Sequence, residues 1–237
     1  MSHPAGTSAR PLRIMSALVI VRTVEETVLP ALVRTGLSVE MIWDPTVALM
    51  ERIARGETAD GIVAIDWALD RLAAEGRLLA GSRRAVARAA FGLGVARGAP
   101  RPDIATADAL RRSLLAARAV AWSRAGASGI YFEKLIDRLG IGAEVRARGV
   151  VIPAGFTGEV VVRGEADIAV QQISELMSVE GIDLVGAMPP EVQESTDFGA
   201  AVFAGPAVQA VQATRFIDCL TGPEARATLA RHGLTPL

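Results

Sequence analysis

Three small residues, Ala127, Ser128 and Gly129, stand directly before a predicted helix that begins at Ile130. Small side chains let an anion approach the free backbone N–H groups at a helix start, and a serine hydroxyl adds a donor without adding charge. Ser128 could also cap its own helix by accepting a backbone hydrogen bond, and ligand contact does not exclude this. The segment therefore predicts an anion-binding helix terminus.

A second candidate segment, Asp44-Pro45-Thr46, follows a short predicted strand. Aspartate before proline is a common helix start, with the carboxylate as the cap and proline at the first helical position. Asp44 is therefore either a capping residue or a ligand-facing group that binds a donor or transfers a proton. Thr46 is either a ligand donor or part of the helix start.

Gln171 and Gln172 end another predicted strand, and side-chain alternation predicts that only one of them points into a cleft. An amide there could donate to a carboxylate, or it could stay solvated. If the chain is an enzyme, its acid or base has to be a carboxylate, tyrosine, arginine or lysine. The nearest carboxylates on these loops are Asp44 and Glu175.

The sequence lacks the residues that several other kinds of site require. The two histidines, His3 and His232, lie near the ends of the chain, so the sequence indicates neither a Ser/His or Cys/His pair nor a histidine metal site. It contains no Walker phosphate loop and no Gly-x-Gly-x-x-Gly fingerprint. We therefore expect no metal and no cofactor.

The charges nearly balance, with 25 Lys and Arg against 26 Asp and Glu, which favours neither nucleic acid nor an anionic membrane. The longest near-apolar stretch, residues 14–21, is far shorter than the roughly 20 residues of a membrane-spanning helix. The first 13 residues are polar and do not predict a secretory leader. We expect no nucleic-acid partner and no membrane insertion. The expected location is cytoplasmic for the chain as it stands, or periplasmic if a leader has been removed.

Short apolar runs alternate with longer amphipathic stretches, which is typical of α/β layering around a largely parallel sheet. Ligands bind beyond the carboxyl ends of such strands, so the loops described above are expected to meet at a cleft. The predicted strands cover residues 13–21, 39–43, 61–65, 119–122, 150–152, 168–171 and 184–186. The predicted helices cover residues 47–55, 67–74, 107–117, 130–139 and 156–163.

One phrase occurs twice in the chain. The turn at residues 55–60, Arg-Gly-Glu-Thr-Ala-Asp, leads into a buried strand, and so does the turn at residues 163–167, Arg-Gly-Glu-Ala-Asp. Each copy reads as a helix end, a tight acidic turn and a strand. This repetition predicts two lobes of related build.

The boundaries of these lobes follow from breaks in the pattern. Residues 81–88 interrupt the helical period before a new apolar run, and a return crossing is expected near residues 190–198. We predict that lobe 1 comprises residues 13–84 together with 196–237, and that lobe 2 comprises residues 85–195.

Six phrases follow one another along almost the whole chain beyond Arg13. They are Leu29-Pro30-Ala31-Leu32, the turn at 55–60, Ala127-Ser128-Gly129-Ile130, Pro153-Ala154-Gly155-Phe156, the run from Val170 to Leu176, and the ending from Phe216 to Leu237. Their order resembles the molybdate-binding branch of the type 2 periplasmic binding proteins. The resemblance implies two α/β lobes joined by two crossovers, a ligand in the cleft between them, and hinge closure on binding.

The first lobe departs from the pattern of that family. Ser16 lies near the family's first-lobe hydroxyl position, but the bulky run 17–21 follows it, and Asp44-Pro45-Thr46 stands where the family has a Gly/Thr-rich loop. A compact tetrahedral oxyanion needs neutral donors from both lobes. These departures favour a larger, partly apolar carboxylate over molybdate.

Two functions remain open. The first is a binding module for a small anion, either an oxyanion or a small carboxylate, with an ABC transporter permease as partner if the protein is exported. The same broad family contains relatives of aconitate isomerase, which shift a double bond in a small tricarboxylic acid. The second is therefore a cytoplasmic isomerase of a small unsaturated di- or tricarboxylic acid. For either, the predicted ligand-binding residues are Ser16, Asp44, Thr46, Ala127, Ser128, Gly129, Gln171 and Gln172.

Overall fold

Strands and helices alternate along residues 10–237, the part of the chain that the computed structural model describes; His3 lies outside the described residues. The strands are β1 Leu12–Ser16, β2 Val39–Trp43, β3 Gly61–Ile65, β4 Arg84–Ala96, β5 Val120–Ser123, β6 Gly149–Ile152, β7 Ile168–Gln172, β8 Ile182–Ala187, β9 Ser195–Val202 and β10 Leu234–Pro236. The helices are α1 Val21–Thr23, α2 Leu29–Val33, α3 Thr46–Ala54, α4 Asp66–Ala74, α5 Ala107–Ala116, α6 Ala127–Arg138, α7 Gly142–Arg146, α8 Thr157–Val162, α9 Ile173–Met177, α10 Ala210–Thr221 and α11 Pro223–Arg231. In this described part of the chain, no helix has the length and apolar character needed to cross a membrane.

The strands form one ten-stranded sheet with the order β2-β1-β3-β9-β4-β7-β5-β6, and β10 and β8 pair with β4 beside this path. β1 is parallel to β2 and β3, and β5 is parallel to β6 and β7. β9 runs antiparallel to β3 and β4, and β4 runs antiparallel to β7. The sheet is thus mixed rather than largely parallel, because antiparallel strands join its two parallel parts.

Strand β4 belongs to both parts of the sheet. Residues from Arg84 to Ala90 pair with β9, whereas residues from Phe91 to Gly94 pair with β7. Lobe 1 is the part built on β1, β2, β3, β9 and β10, and lobe 2 is the part built on β5 to β8. The partner of β4 changes between Ala90, which pairs with β9 of lobe 1, and Phe91, which pairs with β7 of lobe 2. The residue bounds predicted for the lobes stay a prediction.

Each lobe buries side chains on both faces of its strands. In lobe 1, Ile14 and Val63 pack on one face, while Met15 and Ile62 pack on the other. Lobe 2 is built in the same way. Because both faces are covered by helices, the strand ends are the places where polar groups can meet a ligand.

One predicted strand is too long, and strands β4, β9 and β10 were not predicted. The predicted strand 13–21 ends at Ser16, and the chain continues through a 3-10 turn (Leu18–Ile20) and a π-helical turn (Val24–Val28). An apolar run does not distinguish a buried strand from a buried helix, which explains the error. Strand β4 was not predicted because Gly92 and Gly94 interrupt the apolar pattern of its sequence. A Cβ at Gly92 would lie 2.6 Å from the carbonyl oxygen of Gly186 on the neighbouring strand, so the close approach of these strands requires glycine.

The repeated phrase forms the same structure twice. In the first copy α3 ends, Gly56 adopts a φ of 91°, and β3 begins; in the second copy α8 ends, Gly164 adopts a φ of 75°, and β7 begins. Glycine takes these left-handed conformations without the penalty that a side chain imposes. The first copy leads into β3 and the second into β7, and the carboxyl ends of both strands reach the space between the lobes.

Candidate functional site

The carboxyl ends of the parallel strands of both lobes meet at one cavity. Its wall consists of Ala17, Leu18, Pro45, Thr46, Ile65, Ser123, Gly126, Ala127, Gly155, Gln171, Gln172, Glu175 and Phe198. All except Phe198 end or follow a parallel strand, as ligand-binding residues of α/β sheets do. The free volume of the cavity is about 20 Å³, little more than one water molecule requires. The lobes are therefore closed on each other, and a larger ligand needs them to part.

Gln171 joins the end of β7 to the start of α8. Its Oε1 accepts hydrogen bonds from the backbone N–H of Thr157 at 2.8 Å and from the Thr157 hydroxyl at 2.9 Å. Its Nε2 donates to the carbonyl oxygen of Gly155 at 2.9 Å. Gln171 is 2% exposed, so these bonds satisfy groups that water cannot reach. This network fixes the polar wall of lobe 2.

Glu175 holds a buried carboxyl group at the same wall. It lies on the first turn of α9 and is 7% exposed. The Gln172 amide lies 2.8 Å from both carboxyl oxygens. An ionised carboxylate needs the amide nitrogen in that place, whereas a protonated carboxyl can donate to the amide oxygen.

Burial raises the pKa of Glu175 to about 8, and hydrogen bonds from the Gln171 side chain and the Gln172 backbone only partly oppose this rise. The cause is the loss of hydration, which penalises the charged form of the carboxyl group. Glu175 can therefore gain or lose a proton near neutral pH, as groups that transfer protons in active sites do.

The wall contributed by lobe 1 is mostly apolar. Ala17, Leu18, Ile65 and Phe198 present aliphatic and aromatic surface to the cavity. Thr46 also lies there, but its hydroxyl already accepts a hydrogen bond from the backbone N–H of Ile65 at 3.3 Å. Lobe 1 can therefore offer a ligand its backbone N–H groups and the hydroxyl hydrogen of Thr46.

Ser16 and Asp44 are not part of the cavity wall. Ser16 is fully buried, and its hydroxyl donates to the carbonyl oxygen of the next residue at 3.0 Å. The Asp44 carboxylate accepts a hydrogen bond from Arg52 at 2.8 Å, and Arg52 also binds Glu57 at 2.7 Å. Helix α3 begins without a side-chain cap, so the capping role of Asp44 was wrong. The Asp44 carboxylate instead accepts a charge-assisted hydrogen bond from Arg52.

Ser128 and Gly129 are buried in the first turn of α6, and the N-cap position belongs to Gly126. The capping role of Ser128 was therefore wrong. A side chain at position 129 would collide with the carbonyl oxygen of Ser123, so packing explains this glycine. Ala127, Gly126 and Ser123 do line the cavity, and the Ser123 hydroxyl accepts a hydrogen bond from the backbone N–H of Gly126 at 3.2 Å.

Of the predicted ligand-binding residues, the cavity brings together Thr46, Ala127, Gln171 and Gln172, together with the predicted acid or base Glu175. Alternation had predicted one glutamine at the cleft, but both line it. The reason is that β7 ends at Gln172, which is also the N-cap residue of α9, so the alternation stops there. Apart from Glu175, the wall residues outside the predicted set of ligand-binding residues are Ala17, Leu18, Pro45, Ile65, Ser123, Gly126, Gly155 and Phe198. Strand ends could have indicated all but Phe198, which lies within β9.

Neutral groups dominate the electrostatics of the site. Among the residues that the structure describes, the wall has no Arg, Lys or His, and Glu175 is its only titratable side chain. Helices α3 and α6 begin at wall residues Thr46 and Ala127, and helix N-termini carry partial positive charge. Residues 10–237 contain no group of three His, Cys, Asp or Glu placed to hold a metal ion. The site can hold an anion through uncharged donors.

A larger cavity, of about 520 Å³, lies at the opposite ends of the lobe 2 strands. Val95, Pro100 and Ile168 are among its lining residues, and its wall is mostly apolar. The charged groups Arg118 and Asp167 at its edge pair with each other at 3.1 Å. Because polar groups converge at the interlobe cavity and not here, the interlobe cavity is the candidate site.

Two α/β lobes that share antiparallel strands and close over a cavity at the ends of their parallel strands define the two-lobed class of solute-binding proteins. The chain belongs to the family of bacterial extracellular solute-binding proteins, whose family model matches residues 31–235. The resemblance to periplasmic binding proteins, expected from the order of the sequence phrases, is confirmed.

Two solved structures show the same fold. The periplasmic molybdate-binding protein of Azotobacter vinelandii matches with a TM-score of 0.78 at 19% identity, over 94% of this chain and 98% of that chain. The sulfate-binding protein SubI from Mycobacterium tuberculosis H37Rv matches with a TM-score of 0.72 at 17% identity, over 97% and 88% of the two chains. In sequence, the chain is 34% identical to an aconitate isomerase of a Pseudomonas species, over 98% of this chain and 90% of that protein.

Proposed function

We propose that the protein binds a small unsaturated carboxylic acid between its lobes and isomerises it by moving a proton through Glu175. The observation that carries this proposal is the buried carboxyl group of Glu175 at the wall of the interlobe cavity, with a pKa of about 8. A carboxyl group that only shapes a binding site does not need a pKa near neutral pH. A carboxyl group that takes a proton from carbon and returns it does need such a pKa.

The two walls of the cavity support a ligand with a polar and an apolar side. Gln171, Gln172 and Ser123 of lobe 2 supply amide and hydroxyl groups, while Leu18 and Phe198 of lobe 1 supply apolar surface. A carbon skeleton that carries carboxylates matches both walls. A bare tetrahedral oxyanion would leave its polar oxygens against the apolar side.

The reaction needs one group that both accepts and donates a proton. To shift a double bond, a proton leaves one carbon and another is added two carbons away, and a single carboxyl can do both in turn. The relationship at 34% identity to an aconitate isomerase supports this reaction and a di- or tricarboxylic acid as substrate. The closed cleft would keep water away from the charge that develops on the substrate.

The test follows cis- and trans-aconitate by NMR in deuterated buffer with the unmodified protein. We expect interconversion and incorporation of deuterium at the carbons that exchange protons. Glu175→Gln should lower the rate by about 100- to 10,000-fold. Glu159→Gln, at an exposed glutamate on α8 of the same lobe, is the matched control and should retain the rate.

Two results would contradict this proposal. One is the absence of exchange into either acid by the unmodified protein at a concentration that binds it. The other is full activity of Glu175→Gln together with loss of activity in Asp44→Asn, which would move the chemistry to the other predicted carboxylate.

The family membership supports a second candidate, the capture of the same class of acid without turnover. In that case the protein would deliver its ligand to an ABC transporter permease, which requires export from the cytoplasm. Thermal shifts with molybdate, sulfate and di- and tricarboxylates separate the candidates. A ligand at 100 times its Kd should stabilise the protein by about 2.7 kcal/mol. Stabilisation by a carboxylate without deuterium exchange would favour capture over isomerisation.

A further inference from the structure

The interlobe cavity has an unusual charge balance for a site that receives an anion. Glu175 is the only ionisable side chain on its wall, and within the described residues that wall has no cationic side chain. A carboxylate ligand and an ionised Glu175 would repel each other in a closed, poorly hydrated space. The site can avoid this only if one of the two carboxyl groups is protonated in the complex.

Among the described residues, no cation near α9 opposes the rise in the pKa of Glu175. Helix α9 packs against β4, β7, β8 and the turn at residues 18–20, and Gly233 at the chain end also approaches it. The charged side chains on or beside these elements bind other groups. Arg22 and Arg84 donate to backbone carbonyl oxygens, those of Ser178 and Gly81 respectively. The Asp183 carboxylate accepts a hydrogen bond from the backbone N–H of Gly98. Arg88 pairs with Asp197, and His232 pairs with Glu26. The charge of the site therefore changes only when Glu175 gains or loses a proton.

Gln172 is placed to accept either protonation state of Glu175. Its amide lies 2.8 Å from both carboxyl oxygens. With the nitrogen turned toward Glu175 it donates to a carboxylate, and with the oxygen turned toward Glu175 it accepts the proton of a carboxylic acid. A rotation of the amide by half a turn satisfies both states without moving the backbone.

We propose that the cleft binds each anionic ligand together with one proton and that Glu175 holds this proton when the lobes close. The inference rests on the proposed function for its ligand class, a small carboxylate. It adds a property that neither capture nor isomerisation requires, namely that ligand affinity and protonation are linked at one residue.

The same proton can serve the isomerisation. The protonated Glu175 gives its proton to a ligand carboxylate, so that one O–H bond breaks on the protein and one forms on the ligand. The ionised Glu175 then takes the proton from the carbon next to the double bond. That C–H electron pair forms the new double bond, and the old one moves its pair toward the carboxyl group. Glu175 returns the proton to the carbon two positions away, and the ligand's carboxyl proton goes back to Glu175.

Linkage fixes the direction of the pH dependence. Free Glu175 has a raised pKa of about 8 because of burial, and a bound anion raises it further. Below about pH 8 the free protein already carries the proton, so affinity is insensitive to pH. Above this value the proton must come from solvent, and Kd rises about tenfold for each pH unit until the pKa of the complex is reached.

The experiment is isothermal titration with tricarballylate, a saturated tricarboxylate that cannot shift a double bond. Titrations at about pH 7, 8 and 9 in buffers of different ionisation enthalpy count the protons taken up. For the unmodified protein we expect little uptake at the lowest pH, uptake approaching one proton at the highest, and a Kd that rises about fivefold between pH 8 and pH 9. Glu175→Gln should bind with a Kd independent of pH and no uptake, and Glu159→Gln should behave like the unmodified protein.

The outcomes separate this inference from the proposed function. Binding without proton uptake at about pH 9, or a pH dependence that persists in Glu175→Gln, overturns the inference and leaves the proposed function standing. If neither tricarballylate nor aconitate binds at any pH, the ligand class fails and both fail with it. The proton count on the unmodified protein decides the question even if a variant does not fold.

Discussion

The two walls of the interlobe cavity differ in what they can do to a ligand. Lobe 2 presents a connected set of polar groups, with Gln171 fixed by three hydrogen bonds and Glu175 beside it. Lobe 1 presents Leu18, Ile65 and Phe198, and its Thr46 hydroxyl is already engaged. Lobe 2 thus supplies the polar and ionisable groups of the cavity, and lobe 1 supplies apolar surface. Under the proposed function, this difference suits an organic acid better than a symmetrical oxyanion.

The lobes also differ away from the cavity, at the aspartates that end the repeated phrase. Asp60 of lobe 1 is fully buried and binds Arg10 at 2.7 and 2.8 Å as well as the backbone N–H groups of Arg13 and Gln209. Asp167 of lobe 2 is exposed and binds Arg118. The first aspartate joins three segments of the chain, whereas the second holds a neighbouring strand start.

The largest effect is expected from removing the ionisable group of the lobe 2 wall. In the unfolded chain Glu175 ionises with an ordinary pKa, whereas in the folded protein burial raises that pKa to about 8. The unfolded state therefore releases a proton as the pH rises from about 4.3 to 8, and stability falls over this range. Glu175→Gln removes this loss of stability and should raise the free energy of unfolding at about pH 8.5 by on the order of 5 kcal/mol relative to the unmodified protein.

Urea unfolding at about pH 4.5 and pH 8.5 checks this expectation, because near the lower pH both carboxyl and amide are largely neutral and the two proteins should be nearly equal. An equal change at both pH values would show that the variant acts through packing. In that case the chemical contrast between the two walls would lose its main support.

Next in size is the contrast between the two aspartates. Burial opposes ionisation of Asp60, but hydrogen bonds from Arg10 and from the backbone of Arg13 and Gln209 outweigh it and lower the pKa. Its stabilisation is therefore present above an ordinary aspartate pKa and is lost as the pH falls through the lowered value. Asp60→Asn should cost about 2–3 kcal/mol at neutral pH, whereas the matched Asp167→Asn should cost less than about 1 kcal/mol. Thermal or urea unfolding of both variants measures the difference, and equal losses would contradict the comparison.

A smaller effect is expected from the polar network of lobe 2. Gln171→Leu leaves the N–H and hydroxyl of Thr157 and the carbonyl of Gly155 without a partner. Unsatisfied buried groups are costly, so the start of α8 should shift and tricarballylate should bind about 10- to 50-fold more weakly. Titration calorimetry gives the affinity, and circular dichroism confirms that the variant is folded. Unchanged affinity would mean that the network supports only the fold.

The smallest effect is expected on the apolar wall. Leu18→Ala removes apolar surface from the cavity wall but removes no side-chain hydrogen bond. We expect a loss of about 1 kcal/mol, or roughly fivefold in affinity, for a six-carbon acid. A two-carbon acid, which does not reach this wall, should bind as before. If the order of the last two effects were reversed, lobe 1 would be the main source of affinity.

Much of the fold was predictable because hydrophobic periodicity and the residues that end helices or form turns are local properties of the sequence. The strand at residues 39–43 was placed at its true bounds, and the α-turn-β units around Gly56 and Gly164 were found from one repeated phrase. The error at residues 17–21 has a physical origin, because an apolar run is compatible with a buried strand and with a buried helical turn. The strand ends at Ser16 and a 3-10 turn begins at Leu18, and no local pattern of the sequence indicates this change.

The candidate site was predictable as a set of loops and less so as individual side chains. Glu175, Gln171 and Gln172 were found because they end or follow a buried strand. Asp44 was misread because its partner, Arg52, is a residue that the rule for helix caps does not consider. Ser128 was misread because α6 begins at Ala127, three residues before its predicted start, so Ser128 lies inside the first turn and Gly126 is the N-cap residue.

Strand β4 has a consequence for the way the molecule comes apart. One uninterrupted strand of 13 residues gives its first half to one ladder and its second half to the other. Melting either lobe alone would place the boundary between ordered and unordered chain inside this strand and expose a bare sheet edge. Although it has separate hydrophobic clusters, the protein should therefore denature in a single cooperative transition. For the same reason, neither lobe can be excised at the junction as an independently folding fragment.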